Sequence, residues 1–262
     1  MSAPILRRIL SSRKRPIALW VLALAGVSAM YTSVFPWMEK MDLDDMLQAF
    51  PPEFMEIMGY DDIGTASGYI GSAVYGLIAF ALLLVFAIGN AGRLIAGQEE
   101  DGALELELTS PVSRRTIYTE RAAALWCQTT LLVVGLFVAT FGVSLALGMD
   151  VPVVDLLGAT LGLWLVGGLF GTITFAVGAA TGRRVVALGT GAGLAVVGWM
   201  LNAIGPTIDM DWMGTVSPVG WYMAENPMNS DFSVVNTLLL VAGSAIAFVL
   251  GWVRFRSRDL MT

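Results

Sequence analysis

The side chains best placed to do chemistry form one acidic group: Glu99, Glu100 and Asp101 stand side by side, Gly102 follows, and Glu105 lies a helical turn further on. The surrounding segment reads Arg93-Leu94-Ile95-Ala96-Gly97-Gln98-Glu99-Glu100-Asp101-Gly102-Ala103-Leu104-Glu105-Leu106-Glu107-Leu108-Thr109-Ser110-Pro111-Val112-Ser113-Arg114-Arg115. Carboxylates in such a group can take charge-assisted hydrogen bonds from the basic side chains of a partner, and these strengthen when an interface excludes water. Gly102 permits a sharp turn, and Pro111 stiffens the exit toward Arg114 and Arg115. Leu104 and Leu108 share a face if the segment is helical, whereas alternation through Glu105 and Glu107 fits a strand equally well, so periodicity leaves the local structure open. Ser110 and Pro111 suit the cap and first turn of a following helix. A solvated connector would have the same composition, and charge reversal separates the two readings, because exposed charges contribute under ~1 kcal/mol each.

Catalytic chemistry has little to work with elsewhere. The chain has no histidine and a single cysteine, Cys127, which excludes an intramolecular disulfide and a Cys/His metal site and reads as a packing residue. Its two lysines, Lys14 and Lys40, lie outside any Gly-x-x-x-x-Gly-Lys-Ser/Thr context, so the chain is not expected to hydrolyse ATP itself. The apolar stretches carry asparagines (Asn90, Asn202, Asn236), hydroxyls and aromatics in place of the carboxylates that proton relays and ion-coupled pumps require. Transport by this chain would draw its energy from another protein.

The elements that position these residues follow from charge placement. Of 262 residues, 56% are hydrophobic and 14% charged, against about a quarter charged in soluble domains. Six stretches, 16–38, 63–92, 122–149, 156–182, 185–208 and 232–253, contain no Asp, Glu, Lys or Arg. Each is long enough for the roughly 20 residues that cross the hydrocarbon core once as a helix. The expected fold is an all-α, single-domain membrane protein with six spans at about 17–36, 67–91, 122–147, 156–181, 185–205 and 233–253. A loop over 93–121 joins spans two and three, and a second loop covers 206–231 on the opposite side. The first stretch exceeds the usual 7–15 residue core of a signal peptide, so it reads as a retained span despite Val27-Ser28-Ala29.

Basic residues set the expected orientation, since short cytoplasmic segments retain Lys and Arg. Fourteen of the fifteen lie before span one, between spans two and three, between spans four and five, or after span six; Lys40 is the exception. Both termini are therefore expected in the cytoplasm. The net charge of −6 divides unevenly, and the outer loops hold fourteen of the 21 carboxylates. Such a surface does not suit nucleic acid. Residues 1–15 place Ile5, Leu6, Ile9 and Leu10 at helical spacing among five basic residues, which fits either a helix on the inner membrane surface or a basic tail that only sets topology. Between spans one and two, Leu43, Met46, Leu47 and Phe50 and then Phe54 to Met58 read as amphipathic pieces at the outer interface. Gly158/Gly162, Gly167/Gly171 and Gly178/Gly182, followed by Gly189, Gly191, Gly193 and Gly198, predict close helix approach in spans four and five.

From Gly97 to Arg114 the sequence resembles the ABC-2 type permeases, whose inner loop after the second span has the form Gly-Glu-Glu-x-x-Gly-Thr-Leu-Glu-Leu-Leu-Leu-x-x-Pro-Val-Ser-Arg. Gln98, Ala103 and Glu107 depart from that pattern. Supporting matches are Pro51-Pro52-Glu53-Phe54, Ser217-Pro218 with Trp221-Tyr222 and Asn226-Pro227, and Phe255 with Arg258-Asp259-Leu260. The resemblance implies a non-catalytic permease subunit of an ATP-binding cassette exporter in the cell membrane of a prokaryote. It implies pairing with a second copy or a close relative, and docking to a separate ATPase that binds ATP and magnesium, with no cofactor on this chain. Glu99, Glu100, Asp101, Gly102, Leu104, Glu105, Pro111, Arg114 and Arg115 would then form the ATPase-coupling site. A pathway flanked by spans two and five would be lined by Tyr75, Asn90, Trp199 and Asn202. Uncharged spans suit an apolar or amphipathic cargo such as a lipid, drug-like compound or peptide. Some similar permeases instead drive an extracytoplasmic partner protein, a reading that the short outer loops here weigh against.

Overall fold

The computed structural model describes residues 4–38, 64–103, 112–208, 210, 212–223, 228 and 233–258. The regular elements among them are all helical: α1 Pro4–Ser12, α2 Lys14–Met38, α3 Ala66–Glu100, α4 Arg114–Ala146, α5 Val153–Thr181, α6 Arg184–Thr207, α7 Trp212–Val216, α8 Pro218–Met223 and α9 Val234–Ser257. Six of them, α2 to α6 and α9, are long and apolar enough to cross a membrane. The amphipathic outer pieces expected between Leu43 and Met58 lie outside the described residues, as do Leu104, Glu105, Leu108, Ser110, Pro111 and Asn226-Pro227.

Local chemistry sets several helix starts. Thr65, Ser113 and Ser233 are extended residues whose side chains accept from the backbone N–H of Gly68, Thr116 and Asn236, satisfying donors that a first turn leaves open. The cap of α4 is thus Ser113, three residues beyond the expected Ser110. At the other end of α5, Gly182 takes φ +69° and its N–H returns to the Gly178 carbonyl, a left-handed stop that glycine adopts without steric penalty.

α5 is the central helix, in contact with α3, α4, α6 and α9. With α3 it is one of the two spans whose most apolar stretch is more than half buried in the chain itself. The glycines of α5 make that centrality possible. A Cβ on Gly167 would stand 2.7 Å from Leu83 of α3, and one on Gly168 would overlap the Trp126 ring of α4. Gly178 lies against Ala96 and Ala187, and Gly251 of α9 lies against Tyr118 and Ala176. Outward, α2, α6 and α9 expose Leu19, Leu22, Val196, Val197, Leu238 and Leu250, the apolar surface that a bilayer or a membrane partner covers. Cys127 also lies exposed on α4 and does not pack inside.

Two expected loops are smaller than charge placement suggests. α3 continues through Arg93–Gly97, with π-helical pairing, and ends at Glu100, while α4 begins at Arg114. The loop expected over 93–121 therefore contracts to the stretch between Glu100 and Arg114. A backbone has no reason to stop its hydrogen-bond ladder where the first charge appears, so the end of an apolar run is not the end of a helix. On the other side, residues 206–231 include the exposed α7 and then α8, which folds back into the bundle. Ser217 donates to the carbonyl of Gly198 at 2.7 Å, nine residues and about 13 Å inside the end of α6. Val219 packs on Gly198, Tyr222 stacks on Phe80 with centroids 5.8 Å apart, and the Tyr222 hydroxyl donates to the carbonyl of Tyr75 at 3.1 Å.

Candidate functional site

Basic side chains gather at one end of the bundle, where α1, the end of α3, the starts of α4 and α6 and the end of α9 meet. Here the acidic group divides. Glu99 is buried and pairs with Arg258, beyond the end of α9, at 2.5 Å. Gly182 closes over that pair: a Cβ there would meet Arg258 Nη1 at 2.4 Å and Glu99 Oε1 at 2.7 Å, in a backbone conformation that already favours glycine. Glu100 accepts from the backbone N–H of Arg184 at 2.8 Å and so supplies a negative charge at the start of α6, where the helix dipole favours it. Asp101 is exposed, and Gly102 turns the chain away with φ +69°.

Arg114 reaches across to α9 and donates to the carbonyls of Arg258 at 2.7 Å and Phe255 at 3.4 Å. Arg115 is exposed one residue later. Beneath them Tyr118, fully buried, lies among the rings of Phe175, Phe248, Trp252 and Phe255 and donates to the Phe248 carbonyl at 2.8 Å. A second carboxylate cap completes the arrangement: Glu120 of α4 accepts from the N–H groups of Ile5 and Leu6 at 2.8 and 3.0 Å, fixing α1 by its N-terminus. The end of α3 is thereby bonded to α6 and α9, and α9 to α4.

The residues expected to couple to a partner thus fall in different settings. Glu99 is buried against Arg258, Glu100 bonds the start of α6 from an exposed position, and Asp101 and Arg115 are exposed; Leu104, Glu105 and Pro111 lie outside the described residues. Sequence reasoning missed Arg258, Arg184 and Gly182 as their partners. The arginines were legible only as markers of topology, and the pairing needs residues far apart in the chain.

The four residues expected along a pathway fall in different places. Tyr75 is fully buried, with its hydroxyl 2.9 Å from Thr160 Oγ1. Asn90 is buried near the basic end, donating to Gln128 and accepting from Arg13 at 3.1 Å. Gln128, a buried amide in the middle of span three, is a partner that charge counting passed over. Trp199 and Asn202 lie on the half of α6 nearest α7 and α8; Trp199 is exposed, and Asn202 donates to Met223 Sδ at 3.6 Å. The interior of this single chain gathers Tyr75 and Asn90, not all four.

Six spans, a short helix pinned at the basic end and an elbow wired to four spans define a multi-pass membrane protein of the transport-permease class. The family model described as ABC-2 family transporter protein matches residues 12–260, nearly the whole chain. The chain belongs to that family, and membership implies association with an ABC ATPase subunit. No curated protein matches it.

Proposed function

We propose that this permease is the membrane subunit of an ATP-driven exporter, with its basic end and both termini in the cytoplasm of a prokaryotic cell. A separate ATPase binds ATP and magnesium and docks on the elbow between α3 and α4. The observation that carries the reading is the bonding of that elbow: Glu99 to Arg258, Glu100 to the start of α6, and Arg114 to the carbonyls at the end of α9. A push there is shared among spans instead of being absorbed by a flexible loop. The docking contacts then fall to exposed groups, Asp101 and Arg115 first with Glu100 beside them, and the buried Glu99 acts as a brace behind them.

The uncharged spans support an apolar or amphipathic cargo, because a desolvated ion would require a counter-charge. Pairing with a second permease copy or a close relative is supported by the surface of α6, where Gly189 and Gly193 open onto empty space beside exposed Leu194 and Val197. The pathway then forms between units, which accords with Trp199 and Asn202 lying on α6 while Tyr75 and Asn90 are enclosed.

The test combines Asp101→Lys with Arg115→Glu. The expected variant unfolds thermally with the wild type yet fails to retain the ATPase in a pull-down and loses ATP-dependent export from reconstituted vesicles. Normal docking and export in that variant would remove the elbow from the coupling path. ATP hydrolysis stimulated only by an outer soluble protein, with no cargo moved, would favour the force-transmitting reading. Orientation is tested separately in a Cys127→Ala background: Thr215→Cys should react with an impermeant thiol reagent applied outside intact cells, and Ser257→Cys should not.

A further inference from the structure

A cavity of about 240 Å³ at the basic end is lined by Arg8 of α1, Arg13 at the α1 to α2 turn, Arg93 of α3 and Arg121 of α4, with Ile9 and Leu94 beside them. Three stretches separated widely in sequence thus direct arginines to one space. No carboxylate is among its described lining residues. Among the described residues of this end, Glu99 bonds Arg258, Glu100 the α6 backbone and Glu120 the N-terminus of α1.

Two of the arginines are held in place before any ligand arrives. Arg121 is buried and donates to the carbonyl of Leu94, while Arg13 donates to Asn90, which Gln128 fixes in turn. Burial first, then the charges of Arg93 and Arg184, push the Arg13 pKa below its ordinary value. Such a space attracts an anion, and planar guanidinium groups match tetrahedral phosphate oxygens in forked hydrogen bonds. Its position at the foot of the spans, beside the amphipathic α1, is where the headgroup of an acidic lipid would lie, and basic pockets between membrane helices take such headgroups.

We propose that this cavity is a phosphate site, filled by the headgroup of an acidic phospholipid or by the free ion. Its occupant bridges α1 to α3 and α4 and so fixes the N-terminal helix to the bundle.

The full chain in neutral detergent is titrated, at constant ionic strength, with short-chain phosphatidylglycerol, short-chain phosphatidylcholine and inorganic phosphate. Bound ligand is read by native mass spectrometry and stability by the apparent Tm. Arg8→Gln with Arg93→Gln removes two exposed arginines of the cavity; Arg7→Gln with Arg183→Gln removes two exposed arginines of the same end that do not line it. Both pairs lose the diffuse attraction of a basic surface, and only the first loses forked bonds to the ligand. Phosphatidylglycerol is expected to bind at least about tenfold more tightly than phosphatidylcholine, and the cavity pair to weaken it about tenfold more than the control pair. Stabilisation by inorganic phosphate that the cavity pair abolishes would also support the site and name the free ion as its occupant. Equal losses in the two pairs, or no preference for either phosphate source over phosphatidylcholine, would overturn the proposal. Arg93→Lys, which keeps the charge without the fork, should fall between wild type and Arg93→Gln.

Discussion

At the basic end of the bundle, helices are joined through charge: Glu99 to Arg258, Glu100 to the α6 backbone, Glu120 to the α1 backbone, and Arg114 to the carbonyls closing α9. At the opposite end, where α8 packs on α5, α6 and α9 and reaches α3 through Tyr222, the joints are neutral. Ser217 donates to Gly198, Tyr222 donates to Tyr75 and stacks on Phe80, and a Cβ on Gly162 would touch the Tyr222 ring at 3.0 Å. The difference follows from depth. Groups at the foot of the spans can be reached by water, which stabilises charge, whereas a segment entering about 13 Å along α6 must satisfy its polar atoms locally without ionic groups. One end is therefore organised by electrostatics and the other by shape and single hydrogen bonds.

The largest expected effect tests the charged end. Glu99→Lys would face Arg258 with a like charge in a buried site, and breaking a buried pair costs about 3–5 kcal/mol. The loss should appear as a lowered midpoint in detergent unfolding, and the swap Glu99→Lys with Arg258→Glu should recover much of it. A loss below about 1 kcal/mol would return Glu99 to the behaviour of an exposed charge and erase the contrast between the ends.

A smaller effect tests the neutral end. A Cβ at Gly220 would stand 2.1 Å from the Gly214 carbonyl oxygen, a backbone atom that cannot swing aside. Gly220→Ala should destabilise by about 1–3 kcal/mol, as overpacking does, and the effect should be insensitive to salt. Marked salt dependence would show that charge governs this end as well.

The smallest effect separates shape from hydrogen bonding there. Tyr222→Phe keeps the ring on Phe80 but removes the bond to the Tyr75 carbonyl, for an expected loss of about 1 kcal/mol. Denaturant melts of this variant beside Tyr222→Leu should place most of the loss with the ring.

How much of this was readable in advance differs between the same two regions. The acidic group at Glu99 to Asp101 stood out because charges interrupt a nearly uncharged chain, and its turn was marked by Gly102. The partners of its glutamates were not readable, since Arg258 and Arg184 lie 159 and 84 residues away from the glutamates they meet. At the neutral end Ser217-Pro218 and Trp221-Tyr222 looked like part of a connecting loop. Nothing in their local pattern shows that Ser217 finds a carbonyl inside the bundle.

By itself the sequence determined that this chain is helical and crosses the membrane six times, because excluding charge from hydrocarbon and satisfying every backbone group within a span leave few other solutions. The glycine spacing likewise announced close approach of helices at Gly167, Gly171, Gly178, Gly191 and Gly198, though Gly189 and Gly193 open outward. Only the tertiary structure decided that Glu99 is buried against Arg258 while Asp101 faces outward, that α8 re-enters the bundle, and that four arginines from three separate stretches of the chain share one cavity. Those outcomes depend on where helix ends meet in space, and residues that meet there have no regular separation along the chain.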